Sequence, residues 1–164
     1  MAKTIRLSGP IECDSIVNGP GLRAVIWTQG CYRRCLGCQN PETWDTTAGV
    51  EVTTDEVKEK LRSFKGQTGL TFCGGEPMLQ AEACKEIADW ARGELGWDIW
   101  SFTGYVYEDI VAGNDHTTAE MVDFLGSLDV LIDGPFVLAE RDLSMKWRGS
   151  RNQRILRLSC GKIL

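Results

Sequence analysis

The chain has 164 residues, 43% hydrophobic and 25% charged, with a net charge of −5 and seven cysteines. That length suits one domain with a real core. No apolar run approaches a membrane span, and an acidic chain without interleaved basic and aromatic residues is a poor fit to nucleic acid. An odd cysteine count in a chain this long, whose first six residues lack the apolar core of a signal peptide, argues against a secreted disulfide framework. A reducing, cytoplasmic setting is the expectation.

In chain order, Asn18-Gly19-Pro20-Gly21 reads as a turn. Residues 22–29 are apolar and β-branched enough for a buried strand. It runs into a loop holding Cys31, Cys35 and Cys38, where Gly30 and Gly37 permit sharp turns. Residues 53–64 read as a helix: Thr53 and Glu56 fit a capping box, and Val57 and Leu61 recur at i, i+4. A short strand over 69–73 ends at Gly74-Gly75. The clearest helix covers 79–95, with Leu79, Ala83, Ile87, Ala91 and Leu95 on one stripe. A strand over 97–102, short helices over 106–112 and 119–126, and a strand over 129–133 follow; the last ends in Asp133-Gly134-Pro135. Residues 153–158 suit a final strand.

Strands alternating with helices predict βαβ units and a mostly parallel sheet. A complete eight-unit barrel needs about 250 residues, so the expected fold class is α/β, a partial, open (βα) barrel in a single domain over 1–164. Its functional loops should follow the C-terminal ends of strands. The cysteine loop, Gly74-Gly75-Glu76, Thr103-Gly104 and Asp133-Gly134 all do. Charge is uneven: from residue 141 onward seven Lys or Arg face one acid, Asp142, so this segment carries +6 and the rest −11. A solvated basic edge and a docking surface for an acidic partner both fit that pattern.

The C-x3-C-x2-C spacing admits three readings: unrelated buried thiols, a zinc site, or a site-differentiated [4Fe–4S] cluster. Structural zinc takes four ligands. The single histidine, His116, lies in a polar run that reads as a surface loop, and Cys13, Cys73, Cys84 and Cys160 are distant in sequence. Three thiolates suffice for a cubane cluster that leaves one iron open, and this reading is favoured.

The cysteine motif together with Gly74-Gly75-Glu76-Pro77 resembles the radical S-adenosylmethionine (SAM) superfamily. Residues 15–21 and 38–44 are similar to the activating enzymes of glycyl radical enzymes. Residues 100–105, 130–137 and 147–153 most resemble the activating proteins of the anaerobic (class III) ribonucleotide reductase. Two other kinds of protein fit less well: activases of the pyruvate formate-lyase type, and compact small-molecule radical SAM enzymes such as 7-carboxy-7-deazaguanine synthase.

The resemblance implies that Cys31, Cys35 and Cys38 bind the cluster and that SAM chelates its open iron. Reductive cleavage then gives a 5′-deoxyadenosyl radical, which takes a hydrogen atom from a glycine of the reductase. Flavodoxin, ferredoxin or a similar protein is the implied electron donor. Gly74 and Gly75 are expected to let backbone groups approach the methionine of SAM, and Glu76 to offer its amine an acceptor. Gly37 replaces an aromatic that often precedes the last cysteine, leaving adenine to backbone contacts around Gly37, Cys38 and Gln39. Thr103 and Asp133 are placed within reach of SAM, directly or through a monovalent cation; a turn-forming role for Asp133 is the alternative. Asn18, Gly19, Pro20 and Gly21 flank the expected site of the target glycine loop. Arg148, Arg151 and Arg154 are expected to face the reductase or the electron donor.

Overall fold

The computed structural model describes residues 3–164. Its strands are β1 (Thr4–Leu7), β2 (Glu12–Ser15), β3 (Arg23–Thr28), β4 (Val50–Thr53), β5 (Gly69–Gly74), β6 (Asp98–Phe102), β7 (Val130–Asp133), β8 (Arg154–Ser159) and β9 (Lys162–Ile163). Its α-helices are α1 (Thr54–Arg62), α2 (Ala81–Leu95), α3 (Tyr107–Ala112) and α4 (Ala119–Leu125). One sheet runs in the order β4-β1-β3-β5-β6-β7-β8-β9. The four central strands, β3, β5, β6 and β7, are parallel neighbours. Antiparallel strands flank them on both sides. The fold is thus α/β with an open, mixed sheet around a parallel centre.

β1 and β2 share the outer edge of β3. Leu7 pairs with Thr28 at one end, while Glu12 and Ser15 pair with Val25 and Arg23 at the other.

The predicted helices form where local signals were strong. The capping box is present in full: Glu56 N donates to Thr53 Oγ1 at 3.1 Å, and Thr53 N donates to Glu56 Oε2 at 2.7 Å. Two orphan amides of α1 are satisfied this way. The stripe of α2 is buried through Ala83, Ile87 and Ala91, but its first predicted turn is a 3-10 turn over Pro77–Gln80. Glu76 caps that turn by accepting from Met78 N.

Side chains alternate across the sheet. Ala24, Ile26, Leu70, Phe72, Ile99 and Leu131 point to the helices and build the main core with Val57, Leu61, Ile87, Ile110, Phe124 and Leu125. Phe72 meets Phe124 edge to face at 5.5 Å. The opposite face carries a smaller cluster, Trp100, Val130 and Ile132, packed by Phe102, Trp147 and Ile155. Arg23 lies here too, 0% exposed. It donates to Thr71 Oγ1, the Leu70, Asp98 and Pro20 carbonyls and Asp98 Oδ1, five bonds for the five N–H groups of a guanidinium. Burial pulls the Arg23 pKa down and the Asp98 carboxylate opposes it. The charge therefore persists inside the protein.

Candidate active site

The cysteine loop leaves the C-terminal end of β3. Gly30 turns it with φ +109°. Its N–H donates to Thr43 O at 2.7 Å and that of Cys31 to Trp44 O at 3.2 Å, so the loop closes on itself. A 3-10 turn over Pro41–Thr43 ends the loop, and Gln29 Nε2 ties it down through Glu42 O and Asp45 O. Within this frame Cys31, Cys35 and Cys38 are free thiols, each half-buried. Asn40 N–H points at Cys38 Sγ from 3.4 Å. Burial pushes the Cys31 thiol up, while the amides of Arg33 and Arg34 act in the opposite direction.

The other cysteines stand apart in environment. Cys84 is buried in α2, and Cys13 and Cys160 are exposed. Cys73 is pushed up to about 12 by burial, which leaves it a thiol rather than a thiolate. Among the described residues, no three Cys, His, Asp or Glu side chains gather around a single-ion position. A loop of free thiols with backbone amides aimed at sulfur suits a thiolate-ligated iron–sulfur cluster.

Gly74-Gly75-Glu76 ends β5 beside this loop. Gly75 N donates to Thr28 O and Glu76 N to Gly30 O, both at 2.8 Å. A Cβ on Gly74 would stand 2.5 Å from Thr28 O, and one on Gly75 2.4 Å from Gly30 O. The close approach that requires these glycines is thus to the chain's own backbone at the root of the cysteine loop, not only to a ligand. A bulky residue at position 75 would disturb the cluster loop together with any SAM contact.

Glu76 also departs from its expected role. It is 2% exposed. Its carboxylate accepts from Met78 N, Thr103 Oγ1 at 2.8 Å and Gly104 N at 2.7 Å. Those bonds join the β5 turn to the end of β6, so the carboxylate is committed inside the protein and not offered to an amine. Thr103 is 5% exposed; its hydroxyl donates to Glu76 and accepts from Tyr105 N. It braces the turn rather than pointing to a ligand.

Asp133 and Arg154 correct each other. Asp133 is 1% exposed and accepts from Tyr107 N at 2.8 Å, holding the start of α3. It also accepts from Arg154 Nε at 3.0 Å and Nη2 at 2.5 Å. Arg154 further grips Glu108 with both terminal nitrogens, which raises its own pKa and holds the Glu108 carboxyl below the usual range. A guanidinium therefore stands where a monovalent cation was expected, and Arg154 is not free to face a partner.

Asn18–Gly21 lies over the open face. Asn18 O accepts from Thr71 Oγ1 at 2.8 Å, and Asn18 Nδ2 is 4.0 Å from Cys73 Sγ. Gly19 is buried against Arg23, while Pro20 and Gly21 are exposed. Arg151 is exposed and Arg148 half-buried, donating to Gln153 O. Gly37 is exposed with φ +80°; a Cβ there would meet Leu138 Cδ1 at 2.8 Å. Gln39 is exposed as well. His116 is an exposed loop residue, as its polar run implied. Sequence reasoning missed Leu138, from the segment between β7 and β8, and Arg33. Neither carries a local signal, because each acquires its neighbours only through the fold.

Comparison with known proteins agrees with this geometry. Residues 17–156 match the family described as "4Fe-4S single cluster domain". The anaerobic ribonucleoside-triphosphate reductase-activating protein of Enterobacteria phage T4 is 38% identical over 151 residues, covering 87% of this chain and 88% of that protein. The protein of the same name from Escherichia coli (strain K12) is 34% identical over 145 residues, covering 84% and 90%. The pyruvate formate-lyase-activating enzyme of Clostridium pasteurianum is 36% identical over 118 residues, but this chain spans only 50% of its length. Similarity over most of both chains, the matched cluster domain and the thiol loop at the end of β3 agree: the chain belongs to the family of anaerobic ribonucleoside-triphosphate reductase-activating proteins.

Proposed function

We propose that this protein is the radical SAM activase of an anaerobic ribonucleoside-triphosphate reductase. The observation that carries the reading is the loop of three free cysteines, clamped at Gly30 to the Gly74–Glu76 turn, in a chain that matches such activases over most of its length. Cys31, Cys35 and Cys38 would hold a [4Fe–4S] cluster, which supplies the electron for reductive cleavage of SAM and so for glycyl radical formation on the reductase. The chain's residues orient and enclose. Gly74 and Gly75 keep the β5 turn flush with the cysteine loop, leaving backbone groups beside the thiols for the methionine end of SAM. Glu76 and Thr103 hold that turn rigid from below. Gly37, Cys38 and Gln39 offer backbone toward adenine, next to the apolar edge of Leu138.

The finer partner assignments belong to the same reading. Asn18–Gly21 receives the glycine loop on the open face, where Pro20 and Gly21 are accessible. Arg148 and Arg151 face the reductase or an acidic electron donor of the flavodoxin or ferredoxin kind. The +6 charge of residues 141–164 supports that placement. None of the described helices is long and apolar enough to cross a membrane.

The test is electron paramagnetic resonance on the anaerobically reconstituted protein mixed with the reductase, SAM and dithionite. A glycyl doublet on the reductase is expected. SAM cleavage that never yields the doublet, or a doublet that appears only on pyruvate formate-lyase, would reject the reductase as target.

A further inference from the structure

One cation of the cysteine loop turns inward. Arg33, between Cys31 and Cys35, crosses the end of β6. Its guanidinium lies over the Tyr105 ring at 4.4 Å, and Nη2 donates to Asp115 Oδ2 at 2.7 Å. Asp115 belongs to the loop between α3 and α4. The crossing is possible because residue 104 is glycine: a Cβ there would stand 2.4 Å from Arg33 Cδ and 2.8 Å from Nε. Nε is buried without a hydrogen-bond partner, so packing over Gly104 and Tyr105, not a full set of bonds, fixes the stem. Burial raises the Glu76 pKa, and Arg33 is among the groups that oppose the rise, which places its charge near the carboxylate that holds the β5 turn.

An exposed ion pair alone would carry little weight. Here the pair is joined to a stacked cation, a glycine that leaves room for it, and a buried carboxylate beneath. Cation–π contacts gain strength as they are desolvated. Three segments otherwise remote in sequence meet on this one side chain: the cysteine loop, the Thr103–Tyr105 end of β6, and the α3–α4 loop.

We infer that Arg33 is a latch: a positioning residue that fixes the cysteine loop over Gly104 and Tyr105. It thereby sets where the cluster stands relative to the methionine end of SAM at Gly74-Gly75. The inference rests on the reading that cluster and SAM bind here. Gly104 is the latch's seat and Asp115 its outer catch. With the latch released, the loop stays anchored at Gly30 and Thr43 but gains freedom around Cys31 and Cys35. A cluster on Cys31, Cys35 and Cys38 would then still form but would be held less firmly.

The experiment compares wild type, Arg33→Ala, Arg33→Lys, Gly104→Ala and the Arg33→Ala/Gly104→Ala double variant, each reconstituted anaerobically. The readouts are iron content, the rate of iron release to a chelator, and a SAM titration followed by the paramagnetic signal of the reduced cluster. Arg33→Ala is expected to retain full iron and normal secondary structure, to release iron several-fold faster, and to bind SAM about tenfold more weakly, the scale of one lost charge-assisted contact. Arg33→Lys should recover part of the loss, since an ammonium can reach Asp115 but cannot stack as a plane. Gly104→Ala should reproduce the Arg33→Ala behaviour by displacing the stem, and the double variant should be no worse than either single one.

Wild-type iron release and SAM affinity in both Arg33→Ala and Gly104→Ala would overturn the latch while leaving the activase reading intact. Additive losses in the double variant would overturn it too. A wild-type protein that takes up no four-iron cluster would overturn the activase reading, and the latch with it.

Discussion

On the helical face of the sheet, Phe72, Ile99 and Leu131 meet α2 and α4 in a continuous apolar core. On the opposite face, Arg23, Thr71 and Trp100 meet a turn and a long connection instead. The two faces use the same strands and alternate residues of them. The first is held by area removed from water, which is non-directional and tolerant of small shifts. The second is held by directed bonds to a buried guanidinium and by Trp147 set edge-on to Trp100 at 5.0 Å. An open face built this way can keep a surface available for another protein without a full apolar filling. Stability should therefore reside on one face and activity along the rim of the other.

The sharpest separation comes from the rim. Cys35→Ala should abolish cluster retention and SAM cleavage while the melting temperature of the metal-free protein stays within a degree or two of wild type; Cys160→Ala, at an exposed position, should keep both. Normal iron and turnover in Cys35→Ala would end the assignment. Next in size is a contrast between the faces. Phe72→Ala, fully buried against Phe124, should cost about 3–5 kcal/mol in denaturant unfolding. Trp147→Ala, half-buried at the edge of the smaller cluster, should cost about 1–2 kcal/mol, because less area is lost and the site can relax. Equal costs would mean that the open face is a second full core.

Glu76 gives a subtler discrimination. Burial pushes its carboxyl up. Between the ordinary carboxylate pKa and the raised one, the folded chain holds a proton that the unfolded chain has released. Stability therefore declines as pH rises through that window and levels off above it. Glu76→Gln should remove this decline, whatever its overall stability; a pH profile parallel to wild type would contradict the assignment. The smallest effect is at the basic segment. Arg151→Glu should slow glycyl radical formation about threefold at low salt and less at high salt, as charge steering requires. Dithionite-driven SAM cleavage without partner should be unchanged. An equal loss without partner would move Arg151 from docking to the site itself.

Legibility in the sequence followed the range of the signal. Thr53 and Glu56 announced α1 from three residues apart, and the α2 stripe was visible over four turns. The three cysteines and Gly74-Gly75 marked the candidate site because both motifs are contiguous. What stayed hidden is long-range or brief. β1, β2 and β4 are four-residue strands, and Glu12-Cys13-Asp14-Ser15 has no apolar alternation at all. Asp133 looked like a free ligand because its partner Arg154 lies across a β-ladder, and Arg154 looked like a free cation for the same reason. The glycines at 74 and 75 were recognised, but their tightest neighbour proved to be the Thr28–Gly30 backbone, which no local pattern reports.

Arg23 has one more consequence, for calorimetry. Exposing apolar surface on unfolding raises heat capacity and exposing polar groups lowers it. A closed barrel would fill its interior with branched aliphatic layers; here a guanidinium with five bonded N–H groups occupies part of that space. Against a whole-chain increment of about 12–15 cal/mol/K per residue, exposing this one guanidinium on unfolding lowers the heat capacity only slightly. The curvature of the stability curve is therefore set by the apolar core on the helical face, and Arg23 contributes through its bonds rather than through heat capacity.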